Sequence, residues 1–361
     1  MYSFRIIKPT STDWERIESS YDSTCFHTEQ WSKYVGRIGL KTLIIEITYA
    51  EKIVGYFIGE KIGWGYYFVM SPCESIGTYT QGLCMLYTIS ENKRIELYQI
   101  ISKFLFEKHR VLLMSVDDWQ LKRTYDTWIP NEQFYHEEID KYGLNYTVRP
   151  TLYVPVNTSE EIMWSNLHYK SCKYSVNKAK KLNLGVREIT EFNRISEFTK
   201  IHYNQLTEVC AKQGMRPNPS QKEHRMRALC ESLFPNRVIM LEVIGNDENG
   251  NEQIMSTGIF CIDKGQCSYW TGASYQRYQK YCPNELMVWE AMRILYQRGG
   301  GELNFGGMAS YKLKFGTKYA YVPRIYIAKY PVLLNLIPII KKVYYKVRNN
   351  IASIIGKRSF K

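Results

Sequence analysis

Much that would simplify this 361-residue chain is missing. It has nine cysteines, yet none fall at C-x-x-C spacing and none pair with histidine in a ligand-like pattern. A structural zinc site is therefore not expected, and no other His, Cys, Asp and Glu set suggests a metal. No Ser/His/Asp or Cys/His arrangement announces a covalent nucleophile. No run reaches the roughly 18–20 apolar residues that a spanning helix needs. The opening Met1-Tyr2-Ser3-Phe4-Arg5 lacks the charged-then-apolar pattern of a signal peptide. Reduced cysteines and a cytoplasmic setting are the expectation.

Acidic residues are scarce where they would balance the charge. The net charge is +13, with 48 Lys and Arg against 35 Asp and Glu. That sign favours nucleic acid, phosphorylated substrates or an anionic membrane face, without choosing among them. The tail from Pro331 to Lys361 holds no acidic residue, seven basic ones, and interleaved Tyr344, Tyr345, Ile351, Ile354 and Ile355. This pattern predicts an amphipathic segment in peripheral contact with a membrane.

Hydrophobic residues make up 45% of the chain and support a sizeable core. Tyrosine is abundant, at 30 copies, and offers flat apolar area with a polar tip. The length predicts two domains, and the order of elements supports that. Leu43–Thr48, Ile53–Ile58 and Tyr66–Met70 read as three strands, followed by a helix at Arg94–His109 and an apolar strand at Val111–Val116. The order returns as strands at Val238–Ile244, Ile254–Ile262 and Cys267–Gly272, a helix at Glu285–Arg298 and a strand at Glu302–Phe305. We expect an α/β (α+β) fold of two similar units, residues 1–150 and 151–330, each a mixed, mostly antiparallel sheet flanked by helices. Glu160–Lys181 reads as one long helix, basic toward its end, and residues 1–40 as a small helix-and-turn region.

The most informative stretch runs from Tyr269 to Gly316. Its strand, crossover helix and strand form a βαβ unit whose strands should be parallel. Ligands gather where such strands end. Tyr269-Trp270-Thr271-Gly272-Ala273-Ser274, then Asn304-Phe305-Gly306-Gly307 and Tyr311-Lys312-Leu313-Lys314-Phe315-Gly316, and before them Lys173-Tyr174-Ser175-Val176-Asn177-Lys178-Ala179, occur in an order that resembles the FemAB-like peptidyltransferases. The BioF2-like acetyltransferases of the wider GNAT superfamily are similar. The likeness covers most of the chain and is strongest over residues 150–330.

The resemblance implies two tandem GNAT-like domains. It also implies direct transfer of an acyl or aminoacyl group to an amine or hydroxyl of a peptidoglycan or capsular-polysaccharide precursor, nucleotide- or lipid-linked, without a covalent enzyme intermediate. The donor is aminoacyl-tRNA in FemAB-like enzymes and acyl-CoA in ordinary GNAT enzymes; no tightly bound cofactor is implied. An N-acetyltransferase acting on a nucleotide-linked amino sugar is the alternative. Where CoA-binding relatives carry a glycine loop, this chain reads Gln276-Arg277-Tyr278-Gln279-Lys280-Tyr281, which removes the tight amide cradle for a pyrophosphate. The lysine expected after Trp31 is Val35, which points the other way, so the donor stays open.

Lys312 falls on the family's F-K lysine and is the candidate catalytic cation. Lys314 and Lys173 are candidate phosphate contacts. Trp270, Gly272, Tyr281, Asn304, Phe305, Gly306 and Gly307 are candidate substrate-binding residues; of Tyr269 and Trp270 only one can face the cleft, since neighbours on a strand point to opposite faces. Asp117, at the matching strand end of the first unit, is a candidate base. A nucleic-acid-binding module, basic and tyrosine-rich, is the reading from another class.

Overall fold

The computed structural model describes residues 1–63, 65–72 and 80–335. The part of the basic tail from 336 to 361 lies outside the described residues.

Strand β1 (Tyr2–Ile6), a strand where only helix and turn are expected, lies on the edge of the sheet. Helices α1 (Ser11–Ser19) and α2 (Glu29–Arg37) follow. Thr10 and Asp13 form a capping box on α1, and Thr28 caps α2. Strands β2 (Lys41–Tyr49), β3 (Lys52–Ile62) and β4 (Tyr67–Met70) run antiparallel. The short β5 (Leu83–Met85) pairs with β3. Helix α3 (Glu91–Lys108) then crosses over to β6 (Val111–Asp117), parallel to β4. Short β7 (Arg123–Tyr125) and α4 (Glu137–Lys141) lead into β8 (Asn145–Pro155).

The expected long helix over 160–181 is instead α5 (Glu160–Asn166), a π-helical turn at Tyr169–Lys173 and α6 (Tyr174–Lys181). The break comes at His168, whose backbone N–H donates to the carbonyl of Lys314 rather than to the turn before it. Strand β9 (Gly185–Glu188), α7 (Ile195–Lys212) and α8 (Glu223–Leu233) precede the antiparallel β10 (Val238–Asn246), β11 (Glu252–Asp263) and β12 (Gln266–Ser274). Helix α9 (Pro283–Gln297) crosses over to β13 (Glu302–Asn304), parallel to β12. The last strand, β14 (Lys318–Ala328), has no counterpart in the sequence reading.

Two copies of one unit are therefore present: β1–β4, α3 and β6, then β9–β12, α9 and β13. Among the described residues they join edge to edge in a continuous 14-stranded sheet, in the order β1-β2-β3-β4-β6-β14-β8-β13-β12-β11-β10-β9, with β5 paired to β3 and β7 to β14 off that path. The closing strands are exchanged. β8, which follows the first copy in sequence, pairs with β13 of the second, and β14, which follows the second, pairs with β6 of the first. Position 150 falls inside β8, so one sheet carries the chain from copy to copy.

The apolar alternation of β10–β12 supplies both faces. Leu241, Val243, Phe260 and Tyr269 pack under α6 and α9, whereas Met240, Ile259, Cys261 and Trp270 pack under α7, α8 and α2 of the first copy. Polar clamps reinforce that second layer: Arg237 donates to Glu18 at 2.5 Å, and Lys264 Nζ donates to Ser20 O at 3.1 Å and Ser23 Oγ at 2.6 Å.

Candidate active site

The second copy opens where β12 and β13 part. Their parallel pairing covers only Gln266–Ser268 against Glu302–Asn304, and from Tyr269 onward no strand among the described residues pairs with that edge of β12. The register against β11 also slips here, leaving Trp270 as an extra residue between the pairs Tyr269–Phe260 and Thr271–Ile259. A bulge of this kind turns the following strand and re-aims its side chains.

A cleft of about 310 Å³ fills the gap. The end of β12 and the start of α9 form one wall, and the 3-10 turn Ser310–Phe315 forms the other. Helix α9 is well placed to start here. Pro283 occupies its first position, preceded by Cys282 in the left-handed region. Asn284 ties it to the sheet, donating to Ser274 Oγ at 3.0 Å and accepting from Ser256 Oγ at 2.6 Å.

Three features dominate the chemistry of the cleft. Tyr269 and Tyr311 both line it, and burial holds the Tyr269 phenol protonated. Phe305 and Phe315 stack at 5.6 Å beneath, with Tyr269 edge-on to Phe305 at 5.8 Å. Lys314 donates to Glu285 Oε1, so a charge pair lines an otherwise aromatic and amide surface.

Lys312 sits on the same turn and is only 8% exposed. Its ammonium donates to Phe305 O at 2.7 Å and Gly307 O at 3.4 Å, beneath the Gly306–Gly307 loop. Burial, the sole cause acting on it, lowers its pKa to about 8. The loop's own amides are already used: Gly306 N–H donates to Asn304 Oδ1 at 2.8 Å, and Gly307 N–H to Thr151 Oγ1 at 2.9 Å. Ammonium has three donors, so Lys312 keeps one beyond these two carbonyls.

The other sequence candidates are distributed as follows. Gly272 and Lys314 line the cleft, and Phe305 is buried behind it, stacked on the lining residue Phe315. Gly306 and Gly307 take φ of 66° and 125°, in the region that favours glycine. Asn304 has its carbonyl fixed by Gly306 and by Thr151 Oγ1 at 3.0 Å, and its side chain borders a small pocket between the copies, beside Trp119 and Thr24. Lys173 donates to Ser165 O at 2.9 Å, outside the cleft lining. Tyr281 stacks with Lys280 on the outer side of its turn, against the β10–β11 hairpin.

Two further candidates also lie away from the cleft. Trp270 points to the opposite sheet face, edge-on to Trp31 at 6.0 Å; its neighbour Tyr269 is the residue that faces the cleft. Asp117 is fully buried in the first copy, bound by Arg324 at 2.8 and 2.7 Å and by Arg149 at 3.0 Å. A carboxylate held by two guanidiniums is a poor base, so Asp117 reads as a structural anchor between β6, β14 and β8. Sequence reasoning passed over Glu285, because an acidic residue in a first helical turn reads as a dipole complement.

Among the described residues there is no His, Cys, Asp and Glu group that would hold a metal, and no helix long and apolar enough to cross a membrane.

Residues 168–314 match the family described as acetyltransferase (GNAT) domain. No curated protein matches the chain by sequence. Among solved structures, FemX is similar in fold, with a TM-score of 0.65 at 9% identity, covering 88% of this chain and 96% of FemX. A conserved protein of unknown function from Bacteroides thetaiotaomicron is similar at a TM-score of 0.51 and 12% identity, covering 90% and 100%.

Proposed function

We propose, from the match of residues 168–314 to the acetyltransferase (GNAT) domain family, that this chain is an acyltransferase whose β12–β13 cleft transfers an aminoacyl group from the terminal ribose ester of a tRNA. The acceptor is an amine or hydroxyl of a cell-envelope precursor, peptidoglycan or capsular. The acceptor atom attacks the ester carbonyl and the bond to the ribose oxygen breaks. The proton lost by the acceptor balances the one gained by the leaving hydroxyl.

One observation carries the choice of donor. The start of α9, where a CoA pyrophosphate would meet backbone amides, presents Pro283 without an N–H and the Glu285 carboxylate. The preceding turn, Gln276–Tyr281, has no glycine. A diphosphate there would meet a carboxylate already paired with the one lysine of the lining, and a turn without the glycines of a tight amide cradle. An ester of a terminal nucleotide places no diphosphate at that point.

In this reading Lys312 stabilises the oxyanion of the tetrahedral intermediate, since the nearby Gly306 and Gly307 amides are committed to Asn304 and Thr151. Direct transfer is supported by Cys172, which burial pushes up to about 12 and thus keeps as an unreactive thiol beside the cleft. Lys170 and Lys173 of the Tyr169–Lys173 turn and Lys178 of α6 suit the phosphates of a nucleotide- or lipid-linked acceptor, and the basic segment 331–361 would hold the enzyme at an anionic membrane face. Calorimetric titration with acetyl-CoA tests the donor. No saturable heat is expected; saturable binding would return the reading to CoA.

A further inference from the structure

The cleft contains one carboxylate among its described lining residues, Glu285. Its neighbours there are aromatic, amide or small: Tyr269, Tyr311, Phe315, Gln279 and Asn284. A lone acid in such a site needs a reason, because burying charge is unfavourable unless it is paired. Lys314 supplies a partner, but it engages Oε1, and Glu285 keeps about one-sixth of its side chain exposed. An ionised carboxylate has room for several donors, so Oε2 is left to serve the cleft. The acid also sits in the first turn of α9, fixed by the Asn284 bridges to Ser256 and Ser274, so its position is set by rigid elements.

We infer that Glu285 recognises the α-ammonium of the donor's aminoacyl group, and so distinguishes an aminoacyl ester from a plain acyl group or an N-blocked one. This rests on the aminoacyl reading of the same cleft. The pairing is chemically direct. Every aminoacyl ester carries a cation two bonds from the carbonyl carbon that reacts, whereas an acetyl or fatty acyl group carries none. An ammonium on Oε2 would anchor the donor by the end that does not react and leave its carbonyl free to turn toward the Lys312 side of the turn Ser310–Phe315. Lys314 then has a defined part: it orients the carboxylate, and it opposes a second cation on Oε1. Glu285 is thus a specificity-determining residue, selecting for the presence of the amine.

The probe is 3′-alanylamino-3′-deoxyadenosine, in which an amide replaces the labile ester, compared with the same compound acetylated on its α-amine. Binding to the full-length protein is measured by calorimetry. In the wild type, acetylation should weaken binding by about ten- to a hundred-fold, as expected for loss of a hydrogen bond to a charged group. In Glu285→Gln the free-amine compound should weaken by a similar factor and the difference between the two compounds should nearly vanish. Equal binding of both compounds by the wild type, or discrimination that persists in Glu285→Gln, would overturn the role of Glu285 while leaving aminoacyl transfer standing. Failure of both compounds to bind, with saturable binding of acetyl-CoA, would overturn the aminoacyl reading and this inference together.

Discussion

The hydroxyl of Tyr269 fills the space that a side chain at position 272 would need. A β-carbon on Gly272 would lie 1.9 Å from that oxygen and 2.9 Å from the Met287 methyl. Gly272 is therefore required by its neighbour three residues back, not by its own backbone angles. Gly272→Ala should push Tyr269 out of the cleft wall. Overpacking of this kind costs about 1–3 kcal/mol. Thermal unfolding should show that loss, and the Michaelis constant for the donor should rise more than turnover falls.

Lys312 makes a prediction whose sign is fixed by its environment. Its pKa in the fold, about 8, lies below the ordinary lysine value of 10.5. Between these values the unfolded chain holds a proton that the folded chain has released, so the fold gains stability as pH rises through that window. Lys312→Met lacks this term. Relative to that variant, wild-type stability should climb by up to about 3 kcal/mol from pH 8 to pH 10.5. Catalysis should move the opposite way: the ammonium is present below about pH 8, so turnover should fall above it. Denaturant titrations and pH–rate profiles over the same range test both halves.

Asp117 should matter for stability rather than chemistry. Asp117→Asn leaves Arg324 and Arg149 without the carboxylate that joins three strands. Breaking a buried pair by removing one partner costs about 3–5 kcal/mol. The folded fraction of the variant should keep near-normal turnover per active site. Turnover reduced ten-fold or more in fully folded protein would return Asp117 to the mechanism.

Deleting residues 331–361 should release the protein from anionic vesicles without changing its turnover on a soluble acceptor analogue. Co-sedimentation with phosphatidylglycerol vesicles measures this, and undiminished binding by the truncated protein would remove the segment from that role.

The repeated strand order and both crossover helices were legible because β2, β3, β10 and β11 carry β-branched residues and clear turns. Strand β14 was not. Lys318–Ala328 mixes Tyr, Pro and Arg with apolar residues, and its partners, β6 and β8, lie far from it in sequence. The union of the copies into one sheet follows from that strand and was equally hidden. The break at His168 depends on the carbonyl of Lys314, a long-range contact with no local signal. At the site, the motifs pointed to the turn that forms one wall of the cleft, but a lysine in an exposed-looking basic segment gives no hint that it is buried under two glycines. The choice between Tyr269 and Trp270 needed the bulge, which pairing alone reveals.

Transfer itself is the most direct test of the central claim, that an aminoacyl group changes hands in the second copy's cleft with the help of the Lys312 cation. Protein is incubated with nucleotide- and lipid-linked envelope precursors and either radiolabelled aminoacyl-tRNA or radiolabelled acetyl-CoA. Label should pass to the precursor from aminoacyl-tRNA, and Lys312→Ala should slow it about ten-fold or more, as for loss of one transition-state contact. Label arriving only from acetyl-CoA, or an undiminished rate in Lys312→Ala, would contradict it.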